Sequence, residues 1–202
     1  MDPTDPHPDP HPDLHPDPHS RALLDALHEV FDLRARGRYG LSDVNQLAHA
    51  LQAGHHAREQ GLPASLTVAA LLHDVGHMVH ELGEHPAARG VDDRHEAVGA
   101  AWLARWFGPA VVEPVRLHVA AKRWLCAVEP GYFERLTRDS VESLALQGGA
   151  MSPEEVAAFE RLPYWRDAVA LRRLDELAKD PDAPTPAFAD FRGEILAALR
   201  GD

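Results

Sequence analysis

The stretch SLTVAALLHDVGHMV, residues 65–79, constrains this chain more than any other. Its Ala, Leu and Val residues read as a helix that must be buried, yet His73 and Asp74 follow them directly. Ionisable groups on a buried face are costly unless something pairs with them. Any fold that contains this segment therefore has to supply partners for both side chains.

From residue 21 onward the pattern is helical almost throughout. SRALLDALHEVFDLRARG opens with Ser20 as a candidate N-cap and ends at Gly37. SDVNQLAHALQAGHHAREQG runs from Ser42 to Gly61, with Val44, Leu47 and Leu51 at helical spacing. Ser65 is the expected cap of the segment carrying His73 and Asp74, and DRHEAVGAAWLARWFG stops at Gly108. In PAVVEPVRLHVAAKRWL, Pro114 predicts a kink or a break. RDSVESLALQG, SPEEVAAFERL, YWRDAVALRRLDELAK and TPAFADFRGEILAALR complete the chain. The second of these has Ser152 as cap, Pro153 at the first helical position and Glu155 closing a capping box. There is no strand pattern and no internal repeat, so the fold class is all-α.

The first twenty residues, MDPTDPHPDPHPDLHPDPHS, stand apart. Proline at nearly every second position forbids a helix, and Asp and His supply no core. An extended, disordered tail over residues 1–20 is expected, followed by one domain over 21–202. His7, His11, His15 and His19 recur every four residues and can chelate metal loosely, but a solvated low-complexity extension is the preferred reading.

Composition excludes several classes. A chain of 202 residues with 45% apolar content buries one sizeable core. A net charge of −12 argues against nucleic acid or an anionic membrane surface as partner. No apolar run approaches transmembrane length, and the start lacks a signal-peptide pattern. Cys126 is the one cysteine, so no intrachain disulfide is possible and a cytoplasmic location is expected. In RWLCAV it reads as a buried structural thiol rather than a nucleophile.

Polar residues embedded in apolar helix faces then stand out: His49, His73 with Asp74, His95, His118 and Asp175. One such histidine is ordinarily a core residue with satisfied nitrogens. Ligand-type residues spread over five helices are harder to dismiss, because helix bundles build metal sites from inward-facing side chains. Histidine and aspartate without cysteine suit iron, manganese or zinc better than a soft metal. Six ligands exceed the need of one metal with open positions but serve two if a carboxylate bridges. Asp74 is the natural bridge, since His73 points about 100° away around the helix. One metal would take His49, His73 and Asp175, the other His95 and His118. A buried dinuclear metal site is the expectation.

The set His49, His73-Asp74, Asp175 resembles the H…HD…D signature of the HD-domain superfamily, mostly metal-dependent phosphohydrolases, and His95 and His118 mark its dinuclear members. The stretches QLAHALQAG, ALLHDVGH, RHEAVGAAWL, PVRLHVAAKRWLCA, SLALQGGAM and LRRLDELAK resemble more closely the phosphonate-degradation branch of HD-domain mixed-valent diiron oxygenases. They run from about Tyr39 to Lys179. That resemblance implies an HD-domain helical bundle holding two irons, Fe(II)/Fe(III), with dioxygen as co-substrate. It implies oxidative cleavage of the C–P bond of a 1-hydroxyphosphonate, giving a carboxylic acid and phosphate, with Asp74 and His77 at the chemistry.

The phosphonate dianion needs donors, and this acidic chain offers them locally. Lys122 lies one helical turn after His118, Arg172 three residues before Asp175, and His77 one turn after His73. All three can reach a ligand at the metals, and their positions match phosphonate contacts in the family. Arg123 and Arg173 read as surface neighbours. Ser140 matches a family phosphonate-binding serine, Ser143 less well; as a plain feature Ser140 reads as a helix cap. Tyr39, in GRYGLSD, matches a tyrosine that shields the metal until substrate arrives, or else packs at a helix entrance. Three positions on, where the aminohydroxyethylphosphonate enzymes carry an acidic residue for the substrate's ammonium, this chain has Ser42, with Asp43 next. A weakened preference for an amino substituent follows. Two other classes share the ligands: an HD phosphohydrolase acting on a phosphoester or nucleotide, and a non-catalytic metal scaffold.

Overall fold

The computed structural model describes residues 17–33, 44–79 and 89–200. The tail to residue 16, Tyr39, Ser42 and Asp43 lie outside them.

Helix α1, Pro18–Leu33, starts earlier than expected. Asp17, not Ser20, is its cap: the carboxylate accepts from the backbone N–H groups of His19 and Ser20 at 2.8 and 3.1 Å and from the Ser20 hydroxyl at 2.6 Å. The last proline of the tail is then the first helical residue, where a missing N–H costs nothing. Leu23, Leu27, Val30 and Phe31 form its buried stripe.

Helix α2, Gln46–Glu59, is capped by Asn45, whose side chain accepts from Ala48 N–H at 2.8 Å. Helix α3, Ala64–Leu72, begins before Ser65, so that residue sits inside the first turn rather than capping it. Every residue of α3 from Leu66 to Leu72 is buried, as expected for a helix apolar all round at the centre of a bundle. It packs against α2 and α6 (Pro109–Val128), α9 (Trp165–Leu177) and α10 (Arg192–Arg200). Truncating Leu71 or Leu72, both essentially inaccessible, would cost about 2–5 kcal/mol.

The helix expected across residues 65–79 is in fact interrupted at His73 and Asp74, and resumes as α4, Val75–Val79. The break turns both side chains inward from the end of the most buried helix. Helix α5, His95–Leu103, packs on α4 at very short range. A Cβ on Gly76 would stand 1.9 Å from the carbonyl oxygen of His95, so only glycine admits this approach.

Helix α6 runs unbroken for 20 residues with Pro114 inside it. Proline there removes only the bond to Ala110, one turn into the helix, and the expected break does not occur. Helix α7, Arg138–Leu146, is capped by Thr137, which accepts from Ser140 N–H; Ser140 is therefore not the cap. The LQGG sequence ends α7: Gly148 and Gly149 have φ of +97 and +71, and Gly149 N–H returns to Leu144 C=O at 2.9 Å. Arg123 binds Gly149 C=O at 2.9 Å and Glu155 at 2.8 Å, which ties that turn to α6. Helix α8, Pro153–Phe159, has the expected capping box of Ser152 and Glu155. The described residues contain helices, short 3-10 turns and loops, and no strand.

Candidate metal centre

Five histidine and two aspartate side chains converge beneath the C-terminal end of α3. His49 comes from α2, His73 and Asp74 from the break after α3, His77 from α4, His95 from α5, His118 from α6 and Asp175 from α9. His49 Nε2 lies 3.1 Å from His73 Nε2 and 3.4 Å from Asp175 Oδ1. On the other side, His95 Nε2 lies 3.1 Å from His118 Nε2. Asp74 stands between the two groups. Its Oδ2 is 3.6 Å from His49 Nε2, and its Oδ1 is 3.6 and 3.7 Å from His95 and His118 Nε2.

The outer nitrogens decide what the inner ones do. His49 Nδ1 faces the Ala178 carbonyl at 2.8 Å, His73 Nδ1 the Ala70 carbonyl at 2.8 Å, and His118 Nδ1 the Val115 carbonyl at 2.7 Å. A carbonyl only accepts, so each Nδ1 carries the proton and each Nε2 presents a lone pair. Two lone pairs facing each other at 3.1 Å repel unless a cation lies between them. The spacing also suits one: two nitrogens each about 2.0–2.1 Å from the same ion, the zinc–imidazole distance, sit near 3 Å apart as cis ligands. The residues present therefore fit a metal. By distance alone, His49, His73 and Asp175 form one group of potential ligands and Asp74, His77 and His95 another.

Burial pushes His49, His77 and His118 below their ordinary range, reinforced by the neighbouring imidazoles. Neutral rings are the metal-binding form. His95 moves the other way: burial opposes its charge, but Asp93 and Asp74 outweigh that and raise its pKa. Burial disfavours the charge of Asp74, but the surrounding histidines outweigh it and hold the carboxyl well below its usual value. Asp175 is likewise held down against burial, chiefly by Arg172 and Lys179.

A cluster of cationic side chains adjoins these groups. Lys122, on α6 one turn past His118, is only 4% exposed and donates to Ser143 Oγ at 2.8 Å. Burial first, then the charges of Arg172 and Lys179, lowers its pKa to about 7. Arg172 is buried against Asp175 and Glu176 and donates to the Tyr132 hydroxyl at 3.0 Å. Ser140 is buried and receives a hydrogen bond from Lys179 at 3.3 Å. Arg173 pairs with Glu129 at the surface. Cys126 is half-buried rather than buried, and burial raises its pKa, which leaves it a poor nucleophile.

Sequence reasoning missed Lys179 and Asp93. Lys179 lies 3.3 Å from Asp175 Oδ1 and 3.0 Å from Glu176, and its i+4 spacing from Asp175 could have signalled it. Asp93 binds both His77 and His95, from a loop without periodicity to reveal it. Tyr39, the remaining expected site residue, lies outside the described residues.

The HD domain family model matches residues 46–158. Among curated proteins, the chain is 41% identical to [1-hydroxy-2-(trimethylamino)ethyl]phosphonate dioxygenase (glycine-betaine-forming) of Leisingera caerulea, over 84% of this chain and 86% of that protein. It is 45% identical to hydroxymethylphosphonate dioxygenase of Gimesia maris, over 77% of this chain and 78% of that protein. Among the described residues no helix is long and apolar enough to cross a membrane. The paired histidine-aspartate groups thus sit in a chain that aligns with these relatives over most of its length, and this chain belongs to the HD-domain family.

Proposed function

We propose that this protein is an oxygen-dependent dioxygenase that cleaves the carbon–phosphorus bond of a 1-hydroxyphosphonate, yielding a carboxylic acid and inorganic phosphate. One observation carries the reading: two groups of potential metal ligands flank Asp74, and the cationic side chains of Lys122, Arg172 and Lys179 cluster beside Asp175. The names of the two relatives favour this over the phosphohydrolase alternative.

Two irons as Fe(II)/Fe(III) are the cofactor we assign: His49, His73 and Asp175 would hold one and His95 and His118 the other, with Asp74 available to both. Bound there, they supply the Lewis acidity and the electron for dioxygen that no side chain offers. The chain's residues do the rest. Lys122, Arg172 and Ser140 bind the phosphonate oxygens and fix C1 at the metals. His77 keeps its proton on Nδ1, toward Asp93 at 2.7 Å, and turns Nε2 toward Asp74 at 4.0 Å. That lone pair accepts a proton or hydrogen bond from the substrate. Tyr39 is assigned to the same site from the family resemblance. Burial of these groups keeps bulk water out, which strengthens each charged contact. The single cysteine is consistent with a cytoplasmic location.

The balance needs no external reductant: a 1-hydroxyphosphonate plus one dioxygen has the atoms of the acid plus phosphate. Iron-loaded enzyme should therefore consume one dioxygen per phosphate released from hydroxymethylphosphonate, and release none anaerobically. Phosphate released without oxygen from a nucleotide or phosphoester would instead establish the hydrolase.

A further inference from the structure

Asp93 touches neither of the two clusters of inward-facing nitrogens, yet it reaches behind both His77 and His95. Its Oδ2 lies 2.7 Å from His77 Nδ1 and its Oδ1 lies 3.0 Å from His95 Nδ1. The two imidazoles are stacked, with centroids 3.9 Å apart and planes 23° from parallel. A carboxylate has only acceptors, so both rings present an N–H to it, and in the neutral, metal-binding form both turn an Nε2 lone pair inward. The carboxylate is itself held: Oδ1 also accepts from the backbone N–H of His95 at 3.3 Å, at the start of α5. Arg94, between them, adopts the left-handed conformation with φ of +49. That is an uncommon conformation for a residue with a side chain, and it marks a turn worth keeping.

We propose that Asp93 is the positioning residue that sets both rings at once: His95 for its metal and His77 for the substrate. One carboxylate thereby ties one metal ion to the group that faces the reacting carbon. The other half of the centre does not depend on it, because His49 and His73 use backbone carbonyls for the same purpose, as His118 does beside His95. The proposal rests on the assignment of metals to these histidines, but not on the identity of the substrate.

Asn cannot replace Asp93 in both roles. Its amide oxygen stays where the ring and backbone N–H groups of His95 both donate, while its NH2 group faces the N–H of His77 and forces that ring to move its proton inward. The test is a titration of the full chain with ferrous ion under anaerobic conditions, counting bound metal directly. Wild type should bind two ions. Asp93→Ala, which removes both acceptors, should keep one with unchanged affinity and bind the second about 10–100-fold more weakly. Asp93→Glu, which restores two acceptors, should recover part of the loss. Asp93→Asn and His77→Ala should retain both ions, with the defect confined to KM and turnover. Two ions bound normally by Asp93→Ala would overturn the proposal. So would loss of both ions together, or a changed circular dichroism spectrum of the metal-free variant, since either would mean that Asp93 supports the fold generally. Because metal is counted without turnover, a wrong substrate assignment would leave this result untouched.

Discussion

Lys122→Met separates stability from function at one side chain. Lys122 is buried on α6, and its pKa is lowered from 10.5 to about 7, by burial first and then by Arg172 and Lys179. At 1.36 kcal/mol per pH unit, that displacement means the charged form is disfavoured in the fold by about 5 kcal/mol. The sign follows from proton counts. Between about 7 and 10.5 the unfolded chain holds the proton that the folded chain has released, so stability rises with pH across this window. Below it, the full penalty applies. Methionine keeps the length and removes the charge, at the cost of the hydrogen bond to Ser143, worth about 1 kcal/mol. The metal-free variant should therefore be more stable than wild type by on the order of 3 kcal/mol at pH 6, and the gain should vanish by about pH 10. Urea melts at pH 6, 8 and 10 measure this. Activity should move the other way: a charge-assisted bond to a desolvated anion is worth about 1.5–3 kcal/mol, so kcat/KM should fall at least tenfold. In wild type kcat/KM should also decline as the pH rises through about 7, where free Lys122 loses its proton, and the variant should lack that limb. A methionine variant that is less stable at pH 6, or whose stability difference ignores pH, would refute the reasoning.

Three further outcomes are expected. Asp74→Asn should lose the shared charge and with it most of one metal, read by metal analysis of the purified protein. Gly76→Ala should destabilise the fold by about 3 kcal/mol or more, because the new Cβ meets the backbone of His95 rather than a movable side chain; a thermal melt of the metal-free protein would show it. With Ser42 where an acidic residue receives an ammonium group in similar enzymes, hydroxymethyl- and 1-hydroxyethylphosphonate should compete well with 2-amino-1-hydroxyethylphosphonate in side-by-side kcat/KM measurements. A preference of orders of magnitude for the amino substrate that Asp43→Asn abolishes would show that Asp43 has taken over the contact.

Much of this protein is written in local pattern. Helical periodicity, the Ser152–Glu155 capping box and the absence of strand alternation fix an all-α chain, because each depends on residues within one or two turns. The ligand types were legible for a related reason: histidine and aspartate on apolar faces contradict burial, and the contradiction is visible without coordinates. Boundaries set by competition were not. Asp17 rather than Ser20 caps α1, and the expected single helix over residues 65–79 breaks at His73, since the surrounding bundle decides where a buried segment must turn. Only the tertiary structure could show that Asp93 reaches behind two rings, that Lys179 reaches Ser140, and that Gly76 lies against the His95 carbonyl. Each of those facts is a distance between segments far apart or out of register in sequence. The sequence determined which groups would need partners once buried; packing decided which partners they received.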